Sequence, residues 1–206
     1  MNSPKLSLDK AQEELVLGSL LGDGSLEFNG YIGTRLQIKQ SDEHQQYAQW
    51  TYTRLKQLCR TPIQQRRDTN QWYFSTRALK ELTDWWRVFY RNGQKRVPEN
   101  IAELGITPLS LAVWYMDDGS LDYRAKSHHS VILHTDSFHS REVDILRSML
   151  WDKFQISARR FQSSCRGKTY QKLYIGSEGR ERFFKLVSPY VQEGFPLKLS
   201  PVYTKI

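Results

Sequence analysis

Two apolar segments that end on the same acidic motif constrain the fold of this chain more than any other feature. They read LVLGSLLGDGS, from Leu15 to Ser25, and LAVWYMDDGS, from Leu111 to Ser120. Apolar residues cover almost every side of the helix that each segment predicts, which favours helices buried on all faces. A buried helix end cannot hold an acid without a compensating partner, so each acid is expected to face a counter-charge.

The segments that follow these two helices repeat in the same order. Each copy reads as helix, strand, strand, helix, strand, strand, helix, and the Asp-Gly pairs at Asp23 and Asp118 lie 95 residues apart. The strand ends at Lys39 and Thr135 lie 96 residues apart, so the register is nearly kept. We therefore predict an α+β fold of two αββαββα units related by a pseudo-two-fold axis. The predicted boundaries are residues 1–95 for the first half, 96–107 for a linker and 108–206 for the second half.

The charge composition favours a polyanionic partner. Lys and Arg number 30 against 22 Asp and Glu, which gives a net charge of +8 and a pI of about 9.5, as in many nucleic-acid-binding proteins. The apolar runs are far shorter than the roughly 20 residues of a membrane span, and no secretory signal pattern is present, so no membrane partner is expected. Cys59 and Cys165 show neither metal-ligand spacing nor a disulfide framework. These features favour an intracellular location, in an organelle or in bacterial cytoplasm.

The sequences GSLLGDG and LAVWYMDDG resemble the two copies of the LAGLIDADG motif. From about Leu8 to Lys198 the chain resembles the single-chain LAGLIDADG homing endonucleases, and its second motif is most similar to the subgroup of the mitochondrial omega-intron endonuclease. This resemblance implies an intron-encoded monomer whose antiparallel sheets form a saddle on double-stranded DNA. It also implies cleavage of both strands of a long asymmetric target, across the minor groove and with short 3′ overhangs.

The resemblance assigns catalysis to Asp23 and Asp118, the acids that precede the last glycine of each motif. Gly18 and Gly22 lie one helical turn apart and would let the second motif helix approach closely, so that both acids reach shared ions. Two adjacent carboxylates repel unless a cation neutralises them, and Mg²⁺ prefers oxygen ligands. We therefore expect Mg²⁺-dependent phosphodiester hydrolysis, with Mn²⁺ able to substitute and Ca²⁺ supporting binding without cleavage.

Two features qualify this metal site. Gly22 and Asp117 are added as candidate metal-site residues, although the motif register favours an outer-shell or surface position for Asp117. In the second motif, Val113 replaces the small residue that matches Gly18, and bulky Trp114 and Tyr115 follow it. This departure predicts a helix interface that is either wider or asymmetric.

The resemblance also implies further catalytic residues. In this subgroup a basic residue lies near each scissile phosphate, and Lys95 and Lys198 match that position, with Arg96 as a competitor of Lys95. A polar residue, often Gln, lies near the catalytic water and is matched by Gln40. In the second repeat Asp136 is matched to Gln40, and its acid either alters metal binding or caps the following helix.

DNA recognition is assigned to the outward faces of the hairpins, because a two-stranded ribbon fits the major groove and Arg, Lys, Gln and Asn read base edges. The candidates are Arg35, Gln37, Lys39, Gln64, Arg66, Asn70, Gln71 and Tyr73 in the first half, and Arg159, Gln162, Arg166, Lys168, Tyr170 and Lys172 in the second. The tryptophans at four positions are instead assigned to the core: Trp50, Trp72, Trp85 and Trp86.

Two other functions fit the same fold and charge. An RNA maturase would bind its host intron RNA and aid splicing without cleavage. A sequence-specific DNA-binding regulator would keep the nuclease scaffold without its activity. Both motif acids and both candidate lysines are present, which favours cleavage over either alternative.

Overall fold

The computed structural model describes residues 6–30, 33–124, 128–165, 167–195 and 198–199. Of the residues predicted to bind DNA, Arg166 lies outside these ranges. The first half contains α1 (Lys10–Leu21), β1 (Ser25–Phe28), β2 (Thr34–Gln40), α2 (Gln45–Leu55), β3 (Gln64–Gln65), β4 (Trp72–Ser75), α3 (Lys80–Phe89), β5 (Tyr90–Arg91) and β6 (Gln94–Lys95). The second half contains α4 (Pro108–Asp118), β7 (Gly119–Arg124), β8 (His128–His134), α5 (Ser140–Phe154), β9 (Arg159–Cys165), β10 (Lys168–Ile175) and α6 (Arg180–Val187).

Two antiparallel four-stranded sheets repeat the same topology. Their strand orders are β1-β2-β4-β3 and β7-β8-β10-β9. Ser25 pairs with Gln37 in the first sheet, and Ser120 pairs with Ile132 in the second, so both partners are offset by 95 residues. The predicted α+β class and the duplicated architecture are therefore confirmed.

The constant offset of 95 corrects the match between Gln40 and Asp136. The counterpart of Gln40 is Thr135, and both side chains are buried. Asp136 lies one residue further along, beyond the end of β8 at His134, so the sheet register matches Gln40 to Thr135 and not to Asp136. Asp136 does not cap the following helix either, because the N-cap of α5 is His139.

Helices cover one face of each sheet and leave the other face outward. In the first half α2 and α3 pack on β2, and in the second half α5 packs on β9 and β10 while α6 packs on β8. The motif helices α1 and α4 pack against each other between these layers. None of the helices in the described ranges has both the length and the apolar character that a bilayer crossing requires.

The core is centred on the two motif helices. Trp114 on α4 is fully buried, whereas the four tryptophans that were assigned to the core are only partly buried: Trp50, Trp72, Trp85 and Trp86. Trp50, Trp85 and Trp86 pack against the edge of the core, so the assignment holds only in part for them. Trp72 instead donates its Nε1–H to the Oδ1 of Asp42 at 2.8 Å. The predicted linker, 96–107, contributes buried Val97 and Ile106, and the division into halves stays a prediction.

Candidate active centre and DNA-binding faces

The two motif helices approach each other through glycines of α1. A Cβ atom on Gly18 would lie 2.4 Å from the carbonyl oxygen of Ser110 and 2.7 Å from the Cβ of Val113. A Cβ atom on Gly22 would lie 2.4 Å from the Cβ of Asp117. The interface is therefore close, not widened, and it is asymmetric: side chains of α4 fill the spaces that the α1 glycines leave open.

Asp117 holds the ends of the two motif helices together. Its Oδ2 accepts a hydrogen bond from the backbone N–H of Asp23 at 3.2 Å, and its Oδ1 accepts one from the Nε2 of Gln40 at 3.1 Å. The hydroxyl of buried Tyr47 faces the same carboxyl and lowers its pKa. Burial and the nearby charge of Asp23 hold the pKa of Asp117 well above its usual range. Asp117 is thus not a surface acid. Both of its oxygens already accept a hydrogen bond, and its assignment to the metal site stays a prediction.

A lysine reaches the C-terminal end of each motif helix. The Nζ of Lys95 donates to the carbonyls of Gly22 at 2.5 Å and Gly24 at 3.0 Å. The Nζ of Lys198 donates to the carbonyl of Tyr115 at 2.9 Å and also to that of Met116. These contacts place positive charge where the helix dipole is negative. The Gly22 carbonyl thus accepts a hydrogen bond from Lys95, and its assignment to the metal site stays a prediction.

The acids and the lysines perturb one another. Burial, followed by the charge of Asp23, raises the pKa of Asp118 to about 7, although Lys95 and Lys198 oppose that rise. Burial also raises the pKa of Asp23, and Lys95 opposes it. Burial lowers the pKa of Lys198 to about 8. Asp23 and Asp118 are therefore close enough to interact, and they are the two acids of the centre whose oxygens remain available to a cation.

Asp136 lies at the edge of this centre. Its charge raises the pKa of Asp118, and its Oδ2 lies 3.8 Å from the Nζ of Lys172. Near it, the hydroxyl of Ser120 on β7 is 3.0 Å from the Nε2 of His134 at the end of β8. Asp136 thus contributes negative charge around the second acid, in a position different from that of Gln40.

The outward face of the first sheet carries the predicted DNA-binding residues of its strands. Arg35, Gln37 and Lys39 alternate with buried residues along β2, as predicted. Tyr73 pairs with Lys39 and with Gln64, and its hydroxyl donates to the Oε1 of Gln64 at 2.8 Å. In the connecting turn the side chains of three further candidates are exposed or half-buried: Arg66, Asn70 and Gln71.

Of the candidates in the described part of the second ribbon, all but Gln162 lie on the outward face or beside it, and their DNA binding stays a prediction. Lys168, Tyr170 and Lys172 alternate with inward-facing residues on β10, and Arg159 pairs with outward Tyr174. Gln162 pairs with Gln171, so alternation places it on the opposite face. Its neighbour two residues earlier, Arg160, lies on that same face, where its guanidinium is 3.3 Å from Asp144 of α5. Gln162 therefore does not belong to the outward set.

Comparison with known proteins identifies the family. The profile of the LAGLIDADG DNA endonuclease family matches residues 13–183, which is most of the chain. The chain belongs to this family. The cytochrome b mRNA maturase bI2 of Debaryomyces hansenii is 30% identical over 203 residues, which cover 93% of this chain and 74% of the relative. The DNA endonuclease I-ChuI of Chlamydomonas applanata is 27% identical over 213 residues, which cover 95% and 97%.

Solved structures of the LAGLIDADG family share the architecture. The homing endonuclease I-WcaI bound to its DNA recognition sequence matches with a TM-score of 0.79 at 27% identity, over 94% of this chain and 88% of that chain. The crystal structure of I-DmoI in complex with DNA and Mn matches with a TM-score of 0.51 at 16% identity, over 86% and 96%. The predicted resemblance to LAGLIDADG homing endonucleases is confirmed.

Sequence reasoning missed several polar residues of this LAGLIDADG centre. Tyr47 lies next to Asp117. Ser120 and His134 contact each other on the outward face of the second sheet. The offset of 95 residues carries a signal for His134, since it matches Lys39, an outward residue of β2. No comparable signal marks Tyr47, which lies on a helix and reaches Asp117 only through tertiary packing.

Proposed function

We propose that this LAGLIDADG protein is a site-specific DNA endonuclease that makes a double-strand break in a long asymmetric target and leaves short 3′ overhangs. The observation that carries the proposal is the convergence of Asp23 and Asp118 at the ends of two helices that pack through the glycines of α1, each end with a lysine beside it. I-WcaI and I-ChuI, which their names describe as endonucleases, are similar over more than nine-tenths of this chain.

The donor set fits a hard divalent cation. Asp23 and Asp118 would hold it through carboxylate oxygens. Burial raises the pKa of both acids, the charge of Asp23 raises that of Asp118 further, and a bound cation would relieve both effects. Within the described ranges no group of three or more His, Cys, Asp or Glu forms a metal cage, so we expect phosphate oxygens of bound DNA to complete the ligand shell. When bound, the cation lowers the pKa of a water molecule and neutralises charge that builds on the phosphate. We propose Mg²⁺ in this role, and I-DmoI was solved with Mn.

The residues of the chain act by positioning and by charge. Gln40 donates a hydrogen bond to Asp117, and Asp117 in turn accepts one from the backbone N–H of Asp23. Lys95 and Lys198 lower the pKa of Asp118 and so favour the ionised form that a cation requires. Because the pKa of Lys198 is about 8, its Nζ exchanges a proton readily near neutral pH.

The outward faces of the two sheets are proposed to bind the DNA. Arg and Lys on these faces neutralise phosphates, while Gln, Asn and Tyr contact bases. The two ribbons carry different residues, so we expect an asymmetric target and a monomeric enzyme. Its DNA substrate implies an intracellular location, in an organelle or in bacterial cytoplasm.

One observation favours a second candidate function. The relative that is 30% identical over 93% of this chain is named an mRNA maturase. A maturase would bind its host intron RNA, and this activity could coexist with cleavage. A non-cleaving DNA-binding regulator is less well supported, because both motif acids are retained.

Cleavage end-mapping tests the endonuclease proposal. Purified protein is incubated with a library of DNA fragments in Mg²⁺ or Ca²⁺, and new ends are captured and sequenced. We expect one dominant sequence cut in both strands with Mg²⁺ and none with Ca²⁺. Asp23→Asn and Asp118→Asn should abolish double-strand cuts, whereas Asp152→Asn, on the exposed side of α5, should not. Equal cutting by wild type and both motif variants would contradict the proposal.

A further inference from the structure

An exposed stack of aromatic rings lies on the helix-covered side of the first half. The rings of Phe28 and Trp86 stack with centroids 4.7 Å apart, and Trp86 stacks on Tyr90 at 6.0 Å with an interplanar angle of 13°. Phe28 is 44% exposed, whereas Trp86 and Tyr90 are half-buried. The stack therefore offers the ring of Phe28 to a planar partner.

This stack is separate from the DNA-binding saddle. Along β1, Glu27 pairs with Arg35 on the outward face of the sheet, so Leu26 and Phe28 point to the opposite, helix-covered face. The hydroxyl of Tyr90 accepts a hydrogen bond from the backbone N–H of Leu26 at 2.9 Å. That bond holds Tyr90, and with it the stack, against the helix-covered face of the sheet. A duplex bound in the saddle would therefore leave these rings free.

An arginine-rich cleft continues from the stack. Tyr90 and Val88 line a cleft of about 520 Å³ between the end of α3, the linker and the start of α5. Four arginines line the same cleft: Arg87, Arg91, Arg96 and Arg141. Its volume is within the usual range of small-molecule sites and is adequate for a nucleotide.

The acids of the cleft leave it with a positive balance. Glu142 is buried, and its oxygens accept hydrogen bonds from the backbone N–H groups of Val97 at 2.9 Å and His139 at 2.7 Å. Glu99 pairs with Arg141 at 2.6 Å, but both side chains are more than 70% exposed, so this pair is weak. Glu142 also lies 3.7 Å from Arg96, and Arg87 pairs with Asp84 of α3 at 3.1 Å. Three acids against four arginines leave a small positive balance beside the aromatic stack.

We propose that this surface binds a single-stranded segment of RNA. Stacked aromatic rings beside arginines are the combination that holds unpaired bases and their phosphates, whereas paired bases in a duplex do not present their faces. The exposed carboxylate of Glu99 and the amide of Asn100 lie in the cleft, where they can contact ribose 2′-hydroxyls, which DNA lacks. This binding goes beyond the proposed cleavage of DNA and does not depend on it.

Fluorescence anisotropy with a labelled unstructured 12-nucleotide RNA tests the proposal. Phe28→Ala should weaken RNA binding at least fivefold, since stacking on one ring carries about that much affinity or more. Trp151→Ala is the matched control, because Trp151 is 53% exposed on α5, away from this surface. The control should bind RNA as the wild type does.

The charge contribution is tested by salt dependence. Arg87→Gln combined with Arg91→Gln should reduce the slope of log affinity against log salt by about 1.4, or roughly 0.7 for each lost phosphate contact. Arg60→Gln combined with Arg147→Gln, both exposed elsewhere, should leave that slope unchanged. Thermal melting confirms that each variant is folded.

Three results would overturn the assignment. They are unchanged RNA affinity in both the Phe28 and the arginine variants, an equal loss in the controls, and equal affinity for single-stranded DNA of the same sequence. Cleavage of duplex DNA is measured in parallel and should be unaffected by these variants. A failure of RNA binding is therefore distinguishable from a failure of the endonuclease proposal.

Discussion

Replacing Gly18 with Ala should damage catalysis far more than stability. The new Cβ would lie 2.4 Å from the backbone oxygen of Ser110, where ordinary contact begins at 3.4 Å. The clash is with backbone, so the motif helices must separate by about 1 Å. Overpacking of this kind costs about 1–3 kcal/mol, and the better helix propensity of Ala offsets about 1 kcal/mol. We therefore expect a net loss of about 0–2 kcal/mol in the free energy of unfolding.

The same displacement separates the two acids. Because a misplacement of about 1 Å can reduce a rate by about 100-fold, single-turnover cleavage at saturating Mg²⁺ should fall by that order. Urea unfolding of the same sample gives the stability change. Glu13→Ala, in α1 but without the close contact of Gly18, controls for the change in helix propensity. Wild-type cleavage by Gly18→Ala, or a rate loss no larger than its unfolded fraction, would refute the reasoning.

Further predictions follow from the perturbed pKa values of the acids and from the contacts of Asp117. Because the pKa of Asp118 is about 7, its proton must leave before a cation binds, so apparent Mg²⁺ affinity should weaken about tenfold per pH unit below 7; a flat titration between pH 6 and 7 would contradict this. In the absence of metal, this raised pKa also predicts unfolding stability that declines as pH rises from 4 towards 7, measurable by urea titration. Lys198→Met should raise the pKa of Asp118 and move the cleavage profile to higher pH, whereas Lys168→Met should weaken only DNA binding. Tyr47→Phe removes the hydroxyl that faces Asp117 and should cost about 1–3 kcal/mol in urea unfolding; no change would show that this hydroxyl contributes nothing to stability.

The repeat made most of the fold predictable. Two apolar helices followed by strands in matching order predict the duplicated sheets, because hydrophobic periodicity follows backbone geometry directly. Alternation along β2 likewise places Arg35 and Lys39 on the outward face. Residues that face solvent or core by simple periodicity can therefore be assigned from sequence.

The errors arose where the outcome depended on register or on tertiary contact. The match of Asp136 to Gln40 uses an offset of 96 residues between the two halves, whereas their paired strands keep an offset of 95. A difference of one residue is enough to match the wrong side chain. The outward placement of Gln162 is wrong because its face is set by the pairing of β9 with β10, and the sequence does not specify that pairing. The role of Asp117 depends on Gly22 and Tyr47, which lie far away in the chain and meet it only after folding.

The central claim is that Asp23 and Asp118 together hold the divalent cation. Anomalous diffraction from crystals of the protein with its mapped DNA target and Mn²⁺ tests this claim most directly. The account predicts an anomalous peak within about 2–2.6 Å of carboxylate oxygens from both acids. Peaks at other residues only, with neither acid in contact, would contradict it.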